Sequence, residues 1–466
     1  MYIAANFAIS VHHELLLFAL AGLLIGGLDD FFFDVAFLGR AFWRRTFIYS
    51  RHARMTGASL PRSAAPGAIA IFVPAWQESN VIGAMLRTSL HRWTSEDVRI
   101  FVGTYPNDPE TIEAVNAVSR QDARVHLVIL PHPGRTTKAD CLNHVWAAML
   151  DEEQARGRRF KAVVLHDAED VVHADEIRLF DVMIDRFDMV QLPVMPLLSR
   201  HSRWIAGHYA DEFAEAHGKH LILREAIGAA VPSAGVGCAF ARAMIGAVAD
   251  ERGGQPFDAS SLTEDYEIGL RIAERRGRTA FVAMNDAHGH LICTQEHFPD
   301  TIEGAVRQKA RWLTGISLAG WDRLGWRGHW RERWMRLHDR RTSLSALVLF
   351  AAYCATLGYG LTLLLSWAGI AEMPDQPRWL ETALTATALL MLWRLGFRAY
   401  WTARSYGWRE GMRSVPRVIV CNVIAMMAAR RAMGVYVRQL RGGAVIWEKT
   451  HHRFPAEADL HGHRAA

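Results

Sequence analysis

The sequence predicts an α/β protein in which a doubly wound, mostly parallel sheet domain is inserted between membrane-spanning helices. Three observations carry that expectation. Residues 68 to about 300 alternate short β-branched runs with amphipathic stretches, the rhythm of strand–helix–strand units. Long apolar runs lie on either side of this region and not within it. The 466 residues are 50% apolar and 22% charged, with a mean hydropathy of +0.02, which suits a soluble domain averaged with a few membrane segments and excludes disordered, collagenous and disulfide-scaffold chains.

In chain order, Leu15 to Leu28 is wholly apolar or Gly, and after Asp29 and Asp30 the run resumes from Phe31 to Leu38. No Lys or Arg occurs before Arg40, so a cleaved signal peptide is a poorer fit than an uncleaved anchor. Arg40, Arg44, Arg45, Arg51 and Arg54 follow at once and belong in the cytoplasm, which puts the N-terminus outside. Gly57 to Gly67, rich in Ser, Ala and Pro, reads as a linker.

Candidate strands are 68–73, 98–103, 125–130, 162–166 and 189–193, separated by helical patterns over 81–90, 111–119 and 138–150. Ligands of such a sheet bind beyond the carboxyl ends of its strands. There Pro74 ends the first strand, Ser79 or Asn80 is placed to cap the next helix, and Glu78 serves either the crevice or the helix dipole. Asp108, in Tyr105-Pro106-Asn107-Asp108-Pro109, is either a turn acid or an acceptor for a ribose or base. Thr137 is a plausible cap for the helix that begins with Lys138, whose ammonium is available to a phosphate or a nearby acid.

The fourth strand ends in His166-Asp167-Ala168-Glu169-Asp170. Alternation puts Asp167 and Glu169 on one face, a pair of hard oxygen donors suited to Mg²⁺ or Mn²⁺, or otherwise a solvated acidic loop. Ser261 and Glu264 match a capping box, which leaves Asp265 free as a general base kept ionised by the helix N-terminus. Further on, Gln308, Arg311 and Trp312 share a helix face, combining an amide, a phosphate-matching guanidinium and a ring able to stack on a sugar.

The clearest span is 342–371, about 30 residues without a charge, preceded by six arginines and followed by the acidic loop around Asp375. A shorter second pass at 382–393 returns to an arginine-rich side, while 418–429 is apolar for only about 12 residues and suits an interfacial or re-entrant segment. The chain therefore divides into an anchor (1–39), a basic linker (40–67), the sheet domain (68–320), an interfacial Arg- and Trp-rich helix (321–341), a membrane hairpin (342–401) and a C-terminal segment (402–466). The net charge of +5 comes from 53 basic residues of which only five are lysines, a compositional bias that does not call for a nucleic-acid partner. Five dispersed cysteines read as reduced thiols.

Taken in order, Asp108, Asp167-Ala168-Glu169, Thr263-Glu264-Asp265 and Gln308-x-x-Arg311-Trp312, followed by membrane helices, resemble the family 2 inverting glycosyltransferases of the cellulose, chitin and hyaluronan synthase type. A membrane branch of that family is similar also in Val73-Pro74-Ala75-Trp76, Thr137-Lys138-Ala139-Asp140-Cys141-Leu142-Asn143 and Val231-Pro232-Ser233-Ala234-Gly235-Val236-Gly237. The resemblance covers about 70 to 430. It implies a GT-A nucleotide-sugar fold facing the cytosol of a bacterial inner-membrane protein. Pro74, Glu78, Asp108, Lys138, Asp140 and Asp167 would line the donor, Asp167 and Glu169 would hold the cation, and Asp265 with Glu264 would be catalytic. Gln308, Arg311 and Trp312 would hold the diphosphate and the acceptor end, which the Gly235-x-Gly237 loop would approach.

The implied partners are a nucleotide sugar, a glycan or lipid-linked acceptor, membrane lipids and an outer-membrane or periplasmic export partner. Two departures are visible: the usual Asp-x-Asp is Asp167-Ala168-Glu169, and no Phe-x-Val-Thr follows Arg311-Trp312. A cyclic di-GMP-binding domain of the kind longer relatives carry is not expected in a chain ending at Ala466. Three functions remain open: glycan extension from a UDP-sugar, transfer of one sugar to a polyprenyl phosphate, and a catalytically idle scaffold or phage-receptor component.

Overall fold

The computed structural model describes residues 2–94, 96–134, 136–199, 201–370, 376–443 and 453–455. The acidic loop around Asp375 lies outside the described residues.

A 42-residue helix, α1 (Tyr2–Trp43), leads into the sheet domain. There β1 (Ile69–Pro74), α2 (Ile82–Arg92), β2 (Val98–Thr104), α3 (Pro109–Ser119), β3 (Val125–Ile129), α4 (Lys138–Arg156) and β4 (Ala162–Leu165) alternate as expected, each strand within two residues of its sequence-derived bounds. All six residues of β1 and all four of β4 are buried, because helices cover both faces of the sheet and the strands need no polar side. Ile69, Ile71 and Val73 pack under α2, while Ala70 and Phe72 face Leu142, Val145 and Trp146 of α4.

After α5 (Glu176–Met183) the strands become short: β5 (Met189–Gln191), β6 (Val194–Pro196), β7 (Cys238–Ala241), β8 (Thr279–Phe281) and β9 (Thr294–Glu296). The sheet order is β3-β2-β1-β4-β7-β5-β8, with β7 antiparallel to both neighbours and the other pairings parallel; β6 and β9 form a separate parallel pair. The mostly parallel sheet is as expected, and its carboxyl edge carries the acidic motifs.

The connecting helices are α6 (Ile205–Glu215), α7 (Leu221–Ala226), α8 (Arg242–Asp250), α9 (Glu264–Glu274), α10 (Ile302–Leu313), α11 (Ala319–Leu324) and α12 (Trp330–Arg340). Three long helices follow: α13 (Thr342–Trp367), α14 (Arg378–Tyr406) and α15 (Trp408–Leu440). Among the described residues, Ile9–Ile48, Thr342–Trp367 and Trp408–Leu440 are long and apolar enough to cross a membrane. The last of these contains 418–429, to which the sequence reading gave an interfacial place, while α14, which contains the expected pass at 382–393, is not among them. The arginines that framed 418–429 do not break the helix: Arg417 donates to Glu410 at 2.5 Å and Arg413 pairs with the same carboxylate, so α15 runs on through Pro416. In contrast, Arg394 and Arg398 lie inside α14.

Those arginines face the sheet domain. Arg394 bonds to Asp30 of α1 at 3.2 Å and also pairs with Glu215, while Arg398 reaches Asp211 at 3.1 Å. Asp29 takes His338, Arg341 and Trp334, so the acids that interrupt the N-terminal apolar run mark the level at which α1 meets a cationic collar. Helix α6 supplies most of the acids: Asp211 accepts also from Arg417 at 2.8 Å, Glu212 from Lys309 at 2.6 Å and Glu215 from Lys219 at 2.7 Å. All five cysteines are free thiols, as expected.

Candidate active site

The β1–α2 turn is held by the residues after β2. Asp108 accepts from the backbone N–H of Gln77 at 2.5 Å and from that of Thr111, whose hydroxyl in turn accepts from the N–H of Glu78 at 3.0 Å. This arrangement fixes Gln77 in the left-handed region (φ 55°) and buries Glu78 at the crevice wall. Asp108 is thus a helix cap and a strut for the turn. Neither Ser79 nor Asn80 caps α2; the Glu78 carbonyl accepts from the N–H groups of Val81 and Ile82 instead. Pro74, the last residue of β1, sits opposite Gly103. Beside it Trp76 meets Tyr105 edge-on at 5.0 Å and lies against Gly134, which exchanges two hydrogen bonds with the Asn107 amide.

At the end of β4, the Lys138 ammonium lies 2.5 Å from Asp167. Burial lowers the lysine's affinity for its proton, but Asp167, Glu264 and Asp265 together more than reverse this and raise it. Glu169, two residues beyond Asp167, is buried. Asp170, the third acid of the run, is committed elsewhere: it accepts from His166 Nδ1 at 2.7 Å and from the Asp167 N–H at 3.1 Å. Because His166 Nε2 also meets Glu176 at 2.8 Å, the ring is clamped between two buried carboxylates. Burial opposes its charge, but Glu176 and Asp170 prevail and its pKa rises to about 10. This buried cation fixes the acidic turn from beneath.

Opposite it, the 231–237 segment is strung on Gln191. The fully buried amide accepts from the Ala234 N–H at 2.7 Å and donates to the carbonyls of Val236 and Leu192. Gly235 is then presented to Asp265: its φ is +79°, and a Cβ there would lie 2.2 Å from Asp265 Oδ2. Gly235→Ala is therefore expected to lower turnover at least tenfold and to cost about 1–2 kcal/mol of stability. Gly289, with φ +85° and nothing within 4 Å, isolates the backbone effect. Gly289→Ala should lose stability and keep turnover, so equal turnover in the two variants would remove Gly235 from the site. Gly237 (φ +56°) abuts Thr294.

The capping box does not form. Helix α9 starts at Glu264 after Thr263, and Ser261 donates to Glu267 at 2.6 Å, an acid that also takes Arg323. Glu264 is left at the first turn beside Asp265. Burial and then the charge of Asp265 push Glu264 up to about 7 against the pull of Lys138. Asp265 itself is raised, by burial first and by Asp167, although Lys138, Arg311 and a hydrogen bond from the Tyr266 N–H oppose it. The helix terminus alone does not set its charge.

On α10, Arg311 is close enough to act on both Glu264 and Asp265. The oxygen of the Gln308 amide is screened from solvent and accepts no hydrogen bond among the described residues. The Trp312 ring packs with Tyr209, Phe213 and Phe298 at centroid distances of 6.0 to 6.3 Å, which supports the helix as much as it offers a stacking surface. Asp140 is not part of the group. Two residues beyond Lys138 on α4, it points the other way, toward His132 and His144.

Residues 66–315 match the family described as Glycosyltransferase like family 2. Bacteriophage adsorption protein B of Escherichia coli (strain K12) and Bacteriophage N4 adsorption protein B of Escherichia coli O157:H7 are each 37% identical over 459 residues, covering 93% of this chain. The chain spans 61% of the length of these relatives. Among solved structures, the mannosyltransferase PcManGT from Pyrobaculum calidifontis, determined with GDP-Man and Mn²⁺, shares the fold with a TM-score of 0.50 at 16% identity, over 89% of this chain and 99% of that one. Since the matched segment exceeds half of its length, the chain belongs to glycosyltransferase-like family 2.

Proposed function

We propose that the protein transfers a sugar, with inversion, from a UDP-sugar to a growing exopolysaccharide or cell-envelope glycan at the cytosolic face of a bacterial inner membrane. The observation that carries this reading is the convergence of Lys138, Asp167, Glu264 and Asp265 at the carboxyl edge of the sheet, with Gly235 closing over Asp265. The residues fit a divalent cation: Asp167, Glu264 and Asp265 all act on Lys138, and the charge of Asp265 adds to burial in driving Glu264 upward. Held by Asp167 and Glu169, Mg²⁺ or Mn²⁺ would neutralise the donor diphosphate.

In this reading Asp265 takes the proton of the acceptor hydroxyl as its oxygen bonds to the anomeric carbon. The bond from that carbon to the diphosphate oxygen breaks on the opposite side, and the nucleoside diphosphate leaves with the electron pair. Lys138 and Arg311 stabilise the charge that develops on it. Asp108 and Glu78 shape the nucleotide side, while Gly235 and Gly237 admit the acceptor. A panel of UDP- and GDP-sugars with Mg²⁺ or Mn²⁺ tests the proposal in purified membranes. Acceptor-dependent UDP release with a ladder of products is expected, a single glycolipid would make it a one-sugar transferase, and no turnover with any donor would make it a scaffold.

Glu264 gives this site a pH dependence. Its carboxyl binds a proton more tightly when folded than at its ordinary value of 4.5, so the stability it contributes to the ligand-free protein is present below that pH and lost as pH rises toward about 7. His166 shifts stability in the same direction at higher pH, between 6.5 and about 10. The difference between wild type and Glu264→Gln isolates the first effect. Thermal unfolding should show that difference shrinking from pH 5 to 7, and the acid limb of kcat/KM should move to lower pH in Glu264→Gln, where only Asp265 is left to titrate. An acid limb unchanged by the substitution would exclude Glu264.

For topology, cysteines engineered near residues 60 and 330 should resist an impermeant thiol reagent in intact cells, since their arginine-rich surroundings are retained inside. Labelling at both positions would invert the orientation.

A further inference from the structure

On the far side of α4 from Lys138, three side chains with metal-binding chemistry meet outside the carboxylate group. Asp140 and His144 stand one turn apart on α4, and His132 comes from the loop after β3. His132 Nε2 lies 3.5 Å from Asp140 Oδ2, and His144 Nε2 lies 3.9 Å from Asp140 Oδ1. One ligand atom from each residue lies within 4.8 Å of the other two. The two imidazoles face each other edge-on, with centroids 5.3 Å apart.

Both segments are held by bonds of their own. The Asp140 N–H donates to Thr137 Oγ1 at 3.2 Å, and the loop carrying His132 is pinned by the Leu130 N–H to the Thr104 carbonyl and by the Gly134–Asn107 pair. Asp140 Oδ2 is screened from water and accepts no hydrogen bond among the described residues. A carboxylate held in this way, with one imidazole nitrogen just beyond hydrogen-bond range of each oxygen, is short of a cation at the centre. Ligands about 2.0–2.2 Å from a tetrahedral ion lie roughly 3.4 Å from one another, so a set whose atoms lie within 4.8 Å of each other closes by drawing in about 1.4 Å at most.

We propose that His132, Asp140 and His144 form a binding site for a borderline divalent cation of the Zn²⁺ type, separate from the Asp167–Glu169 pair. Two imidazoles and one carboxylate select Zn²⁺, Co²⁺ or Ni²⁺ over Mg²⁺, which prefers oxygen donors. The three side chains are 39%, 26% and 33% exposed, which leaves the fourth position to water. A bound ion would clip the 130–134 loop to α4. That loop carries Gly134, which packs on Trp76, so the clip would stiffen the crevice wall at the ends of β1 and β2.

The test uses the full chain in detergent or nanodiscs, stripped with chelator and titrated with Co²⁺ and Zn²⁺. One equivalent should bind with a tetrahedral Co²⁺ ligand-field spectrum. His132→Gln and His144→Gln should each weaken it at least tenfold, while Glu169→Gln should leave it unchanged. In a parallel measurement on wild type, Zn²⁺ should protect His132 and His144 from diethyl pyrocarbonate, read residue by residue by mass spectrometry, which keeps the test independent of whether the variants fold. Equal binding in wild type and both histidine variants, no protection of these two rings, or loss of the spectrum with Glu169→Gln would each overturn the site.

Discussion

Asp265→Asn is expected to lower turnover by about two to four orders of magnitude while donor affinity stays within about threefold, the pattern of a lost general base. The substitution keeps the shape of the side chain, and the remaining Oδ1 still accepts from the Tyr266 N–H, a bond of 2.7 Å in the wild type. Gly235 still has room, because its close approach is set by backbone and not by charge. What disappears is the only function an amide cannot perform here, which is taking a proton. Single-turnover kinetics with donor pre-bound, together with thermal unfolding, separate this outcome from misfolding. Near-normal turnover would return Asp265 to a structural part in the first turn of α9.

Asp167→Asn and Glu169→Gln should each weaken cation-dependent donor binding by tenfold or more, since each removes a hard oxygen ligand. Asp167→Asn has a second effect, because it releases Lys138 from a contact of 2.5 Å and leaves that cation to Glu264 and Asp265 alone. The acid limb of kcat/KM should therefore move to lower pH in Asp167→Asn and stay in place in Glu169→Gln. Donor binding measured against Mn²⁺ concentration checks the first effect. Undiminished activity of the wild type in EDTA would end the assignment of both residues to a cation.

The first half of the sheet was legible because β1, β2 and β4 are apolar runs buried almost throughout, with Pro74 and Asp108 punctuating their ends. Most later strands were not, since β6, β8 and β9 hold three residues each, too few to display a period. Residue chemistry picked out the acids of the site, yet it could not say which way each one turned. Asp140 was grouped with Lys138 through the resemblance carried by the Thr137-to-Asn143 run, but two residues along a helix is more than half a turn. Gln191 was missed entirely, as a buried amide bracing a loop more than 40 residues away leaves no local signal. His166 stood beside the acidic run in plain view, and only the fold shows that it meets Glu176 ten residues on.

The acids of α6 decide how this enzyme can be handled. Asp211, Glu212 and Glu215 are neutralised by Arg398, Arg417, Lys309, Lys219 and Arg394, and three of those five cations belong to α14 and α15. A soluble fragment trimmed after residue 320 would keep the sheet and all the acidic motifs but strip the counterions from Asp211, which is fully buried. Removing one partner of a buried pair costs about 3–5 kcal/mol, and two such losses approach the whole stability of an ordinary domain. Catalytic head and membrane helices are in this sense one folding unit, and biochemistry on the head alone would begin with a damaged protein.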